Sequence, residues 1–242
     1  MTKISTADHS DSLKVAEWDF APDKIHLLGL RHHRTPSDKQ TLDDLYLLLI
    51  RGVVFTFYGS TEPGVKVAAE YPFLIPGQHR YRFGVHQMSE TKKVFKALCP
   101  ATNGVRVQRS AKLFPTEAEL TLDPRPNTTI HIHWGGEGLS DSAGWSAGCQ
   151  VIAGKSYINH HGDVINCAPF AATNYADLGT TVNKTFLSKG AYTVLEDLVA
   201  AFSGAKPDDY IVHYTLLDEA DVALHPDIKL DELRDKLKRL KA

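Results

Sequence analysis

Three side chains able to attack, transfer a proton or hold a metal fall close together between Thr128 and Ile152: His131 and His133 on an apolar run, and Cys149 closing a glycine-rich segment. Thr128, Thr129, Ile130 and Ile132 favour an extended chain, and strand alternation sets His131 and His133 on the face opposite the two isoleucines. Gly135, Gly136 and Gly138 then permit turns that other residues resist, and Ser140, Asp141 and Ser142 add turn chemistry. The segment closes on Ser146-Ala147-Gly148-Cys149 ahead of the apolar run Val151-Ile152-Ala153. A cysteine just after a glycine turn can present its sulfur while adjacent backbone N–H groups point at a developing oxyanion. A free thiol titrates near ~8.5 and needs an imidazole to act at neutral pH. His133, sixteen positions before Cys149, is the candidate base.

The same donors admit a second chemistry. His131 and His133, at H-x-H spacing on a strand, have a chelating arrangement, and Cys149 would complete a three-ligand zinc site that activates water. Glu137 and Asp141 are the acids beside it that could serve as base. A third reading is a non-catalytic structural or recognition module, such as a phage or secretion component, that keeps a binding fold without turnover, since fold alone never establishes activity. Trp134 and Trp145 flank the loop and either wall a substrate groove or fill the core.

The string Ile132-His133-Trp134-Gly135-Gly136, then Ser146-Ala147-Gly148-Cys149, with twelve residues between His133 and Ser146, resembles the catalytic signature of the L,D-transpeptidase (YkuD-like) domain family. The resemblance implies Cys149 as nucleophile, His133 as its base, the Gly148 and Cys149 amides as oxyanion donors and Ser146 as a loop-shaping residue. It implies attack on the peptide bond after an L-centre of a peptidoglycan stem peptide, with a Cys149 thioester passed to an amine or to water. No cofactor is expected. Two positions depart from the family pattern: Ala147 stands where many members have histidine, and Val151 where they have Asn or Arg. Ser60-Thr61-Glu62-Pro63-Gly64 is loosely similar to a T-P-x-G turn of the same family.

Substrate contacts are sought on the neighbouring polar positions. His131, Trp134, Gly135 and Trp145 border the motif, and Arg80 to His86 reads as a strand with Arg80, Arg82, Gly84 and His86 on one face. Arg82 and His86 are best placed there to hold a carboxylate-bearing ligand, and an exposed outer sheet face is the plainer alternative.

Composition fits a folded domain. The chain has 242 residues, 43% hydrophobic and 23% charged, and its formal net charge of −2 supplies no basic field for nucleic acid. Three cysteines without C-x-x-C spacing imply neither a disulfide framework nor a zinc ribbon, and Cys99 and Cys167 read as structural thiols. Residues 1–20 read as a flexible polar leader without the apolar segment of a secretory signal, and no run reaches the ~18 apolar residues of a membrane span. The expectation is a protein made in the cytoplasm, with no integral membrane association, that reaches a cell wall only by a non-classical route.

The elements around the motif read as a single β-rich α+β domain over residues 21–242, of L,D-transpeptidase-like sheet or sandwich type with peripheral helices; the sandwich comes from the resemblance. Lys24 to Arg31, Val53 to Tyr58, Val105 to Gln108 and Tyr210 to Leu217 read as strands. Thr41 to Arg51 and Glu90 to Leu98 read as helices, the first capped by Thr41. Tyr192 to Phe202 and Ile228 to Leu240 show helical periodicity. Arg31-His32-His33-Arg34 reads as a solvated basic loop, and Asn159-His160-His161-Gly162-Asp163 as a polar hairpin tip.

Overall fold

Leucine, valine and aromatic runs build the frame. β1 (Ile25–Arg31), β2 (Asp44–Ile50) and β3 (Val53–Ser60) are buried along most of their length, which a strand reaches only when both of its faces are covered. The structure, a computed structural model, describes residues 21, 23–32, 41–88, 91–101, 103–136, 146–171, 175–180, 182, 187–204, 210–221 and 229–238. The expected leader, Trp145, Glu137 and Asp141 lie outside these.

Further along come β4 (Tyr71–Leu74), β5 (Gly77–Gln87), β6 (Lys93–Pro100), β7 (Val107–Ser110), β8 (Thr121–Leu122), β9 (Ile132–Trp134) and β10 (Gln150–Ile152). They are followed by β11 (Ser156–Ile158), β12 (Val164–Asn166), α1 (Ala168–Ala171), β13 (Gly179–Thr180), α2 (Gly190–Phe202), β14 (Val212–Asp218) and α3 (Leu230–Lys238). The order β10-β9-β6-β5-β14-β1-β2-β3 returns on itself because β10 also pairs with β3, so these strands close a circuit. Closure removes the free edges a sheet would otherwise expose. The β11–β12 hairpin extends from β3, β13 pairs with β6, and β4, β7 and β8 form a small separate sheet. The fold is β-rich α+β, and its main sheet closes into a barrel-like ring. No described helix is long and apolar enough to cross a membrane.

Alternation divides the buried side chains between two cores. Leu27, Tyr46, Leu48, Phe57, Ile152 and Tyr214 join one that also takes Tyr192, Leu195 and Val199 from α2. Leu30, Leu45, Leu47, Tyr58, Val151 and Leu217, on the opposite faces of the same strands, join Leu237 of α3 in the other. The amphipathic α2 and α3 are thus the covers of this ring.

Two helical readings are overturned. Thr41 to Arg51 holds β2, not a helix: its leucines at consecutive positions serve both cores, and this filling of both faces imitates a helical stripe. Glu90 to Leu98 overlaps β6, a strand held between β5 and β9, with Val94, Phe95, Ala97 and Leu98 buried at a spacing that also suits a helix. Arg31 and His32 are not a solvated loop. Arg31 is half-buried with its guanidinium donating to Thr61 Oγ1 and to the Thr61 and Leu74 carbonyls, and His32 Nδ1 lies 3.0 Å from Glu219 Oε2. Asn159 to Asp163 does turn between β11 and β12, its Asn159 side chain accepting from the His161 and Asp163 amides.

Candidate functional site

The site lies on one face of β5, β6, β9 and β10, and strand register decides which side chains share it. Arg82 stands opposite Cys99, Gly84 opposite Ala97, and His86 opposite Phe95. Ala97 in turn faces His133, which faces Val151. Alternation puts Cys99, His131 and Cys149 on this same face and leaves Ile130, Ile132 and Trp134 on the other. The Cys99 sulfur fills the space over Gly84, while Ala97, small and on the strand between β5 and β9, leaves the room across which His86 reaches β9. Its ring stacks on His133 with centroids 4.3 Å apart and meets His131 edge-on at 5.2 Å.

One ring nitrogen of His86, one of His133 and the Cys149 sulfur all lie within 4.8 Å of one another. Hydrogen bonds fix the tautomers of all three rings. His133 Nδ1 donates to the Trp134 carbonyl at 2.6 Å, so its Nε2 carries the lone pair. His131 Nε2 donates to the Thr128 carbonyl at 3.3 Å, so its Nδ1 accepts from His86 Nδ1 at 3.0 Å. His86 Nε2 is then unprotonated as well. The Cys149 thiol donates to the Thr129 carbonyl and its sulfur accepts the His131 amide, both at 3.4 Å.

Burial keeps this group neutral. Desolvation, then the neighbouring His133 and His131, holds His86 down at about 2. Desolvation outweighs the Trp134 hydrogen bond and holds His133 down at about 4. Desolvation pushes the Cys149 thiol up to about 11 against the His131 amide and Ser146, which favour the thiolate. Thiol and imidazole therefore meet as neutral partners at rest.

The turn before Cys149 depends on glycine. Gly148 has φ +110°, and a Cβ there would stand 2.8 Å from the Pro72 carbonyl oxygen and 2.9 Å from Ile130 Cδ1. The Ser146 carbonyl accepts from the Gly64 and Val65 amides, which ties the Ser60 to Gly64 turn to the site. The Ser146 hydroxyl is buried without a hydrogen-bond partner among the described residues; it lies near enough to the sulfur to stabilise negative charge but outside hydrogen-bond geometry.

Behind the turn runs a buried polar chain. Gln150 Nε2 donates to the Gly148 and Thr61 carbonyls at 3.3 Å, and its Oε1 accepts from Tyr214 at 2.8 Å. Asp44, fully buried, accepts from the Thr61 amide at 2.6 Å, the Thr61 hydroxyl at 2.7 Å and the His32 amide at 2.8 Å. The sequence reading missed this support. Its signals were an acid opening an apolar strand and an amide beside Cys149, both of which demand buried partners.

The other expected residues fall as follows. His86 joins the group directly, and His131 acts on it through His86 instead of converging on Cys149 and His133, so the expected zinc set of His131, His133 and Cys149 is replaced by His86, His133 and Cys149. Arg82 shares the face but is exposed, beside Cys99, whose thiol is pushed up by burial against the Val85 hydrogen bond and the Arg82 charge. Trp134 fills the core on the other face, near Phe95 and under the Lys189 ammonium at 4.3 Å, and does not wall a groove on the His133 side. Gly135 continues the β9–β10 ladder by donating to the Ile152 carbonyl. Cys167 is core, and Cys99 is half-buried with its thiol on the Val85 carbonyl.

Comparison with protein-family models, with curated proteins and with solved structures gives no match.

Proposed function

We propose that the protein is a cysteine-dependent enzyme of L,D-transpeptidase or L,D-carboxypeptidase type acting on peptidoglycan stem peptides. The observation that carries the reading is the placement of the Cys149 thiol beside a His133 ring whose Nδ1 is committed to the Trp134 carbonyl, leaving Nε2 as the base. The spacing of His133, Ser146, Gly148 and Cys149, and a β-rich frame that seats His133 on β9 and Cys149 at the entry to its neighbour β10, agree with it.

In this reading the sulfur attacks the carbonyl of an L-centre as its proton passes to His133 Nε2. The Gly148 and Cys149 amides receive the oxyanion, since among the described residues neither donates to a backbone carbonyl. Collapse breaks the C–N bond and the departing amine of the D-residue takes the proton from His133, leaving a Cys149 thioester. Water or an acceptor amine then attacks the thioester, His133 takes its proton, and the thiol is restored. The neutral resting pair means that charge appears only during attack, where Ser146, next to the sulfur, can orient its hydroxyl toward it.

Incubation of purified muropeptides with the wild-type protein and with Cys149→Ala, read by mass spectrometry, tests the reading. Loss or exchange of a terminal D-residue by the wild type alone is expected. Identical muropeptide profiles from wild type and Cys149→Ala would refute it.

A further inference from the structure

The same face carries a feature the thiol mechanism does not use. A base needs one imidazole, yet a His86 ring nitrogen also lies within 4.8 Å of the sulfur, and the ring is held by its own partner: His131 accepts from His86 Nδ1 and is itself anchored on the Thr128 carbonyl. His133 is oriented in the same manner by the Trp134 carbonyl. Rings fixed through one nitrogen by a carbonyl or a further side chain, with the other nitrogen left bare, are what metal-binding histidines require of their surroundings.

We propose that His86, His133 and Cys149 form a binding site for a Zn2+ ion, and that the ion and the thiol chemistry are mutually exclusive. The donor set of two neutral imidazoles and one thiol suits zinc, which takes three protein ligands and leaves a fourth position to water. Bond lengths of about 2.0–2.1 Å to nitrogen and about 2.3 Å to sulfur put donors of one tetrahedron roughly 3.3–3.6 Å apart. The three atoms already lie within 4.8 Å of one another, so the ion needs only a modest closing of the three side chains. Binding costs one proton, released from the Cys149 thiol to solvent as the sulfur becomes a thiolate ligand. The metal then occupies both the sulfur lone pair and the His133 Nε2 that acyl transfer needs, so it holds the enzyme off. The proposal shares residues with the acyl-transfer reading and stands independently of that reaction.

The test is alkylation of Cys149 by iodoacetamide, followed on its tryptic peptide by mass spectrometry, in chelator-treated protein with and without a molar excess of Zn2+. The expected result is protection of Cys149 in the wild type, with release of one proton per ion bound. His86→Gln, checked for folding by circular dichroism, is expected to lose the protection at the same Zn2+ concentration while Cys149 remains alkylatable. His131→Gln, which removes only the anchor of His86, is expected to weaken binding by about 10- to 100-fold. Unprotected Cys149 in the wild type, or protection that persists in His86→Gln, overturns the proposal. Neither outcome depends on muropeptide turnover, so a failed metal site and a failed acyl-transfer reading are separately visible.

Discussion

At the scale of single residues, Gly148 shows how closely the thiol's position is bound to its surroundings. Its φ of +110° disfavours any side chain, and the space a methyl would need is taken by the Pro72 carbonyl and Ile130. Gly148→Ala is expected to cost about 1–3 kcal/mol of stability from backbone strain alone and to shift the sulfur away from His133. Urea unfolding, with the Cys149 alkylation rate alongside, measures both; an alanine variant equal to wild type in each would show that the turn has freedom the geometry denies. His86 makes the complementary point, because its role comes from what surrounds it. Alternation along Arg80 to His86 sets it on a polar face, but only the small Ala97 on the intervening strand lets it reach His133.

At the scale of elements, Asp44 ties β2 to the Ser60 to Gly64 turn, which in turn holds the Ser146 carbonyl. Asp44→Asn substitutes a donor for one of the accepting oxygens, so one of its amide or hydroxyl partners is left buried and unpaired. The expected loss is about 1.5–3 kcal/mol, with the site turn loosened, and it is read as a lower urea midpoint; an unchanged midpoint would show that the network is ornamental. Much of this layer was legible in the sequence. β3, β14, α2, α3 and the β11–β12 hairpin follow from β-branched and aromatic runs, helical stripes and a turn cluster. β2 and β6 were read as helices for a physical reason: both are covered on two faces, so their apolar residues lose the period-two signature by which a half-buried strand is recognised. The union of His86 on β5, His133 on β9 and Cys149 just before β10 arises from register, which local sequence does not encode.

At the scale of the whole molecule, burying neutral imidazoles and thiols gives stability a definite pH dependence. His86 and His133 titrate near ~6.5 in an unfolded chain, and in the fold they are pushed down to about 2 and about 4. Below about 6.5 the unfolded chain takes up protons that the folded chain refuses, so stability falls with falling pH by about 1.4 kcal/mol per pH unit for each group until its folded value is reached. Cys149 and Cys167, both raised to about 11, act in the opposite sense: their contribution is complete below the unfolded thiol value and is lost as pH rises above about 8.5. The urea midpoint is therefore expected to be highest between about pH 6.5 and about pH 8.5 and to decline on both sides. A midpoint that rises on acidification would mean that these histidines are charged in the fold.

The central claim is that Cys149 forms a covalent acyl intermediate with His133 as its base. Intact-protein mass spectrometry after rapid acid quenching of chelator-treated protein with a stem tetrapeptide tests it most directly. The expected result is an adduct with the mass of the peptide less its terminal D-residue, mapped to Cys149 as a hydroxylamine-labile thioester, absent from Cys149→Ala and slowed by about 10²- to 10⁴-fold in His133→Gln. Conversion of the peptide without such an adduct, or an adduct that survives in Cys149→Ala, would contradict it.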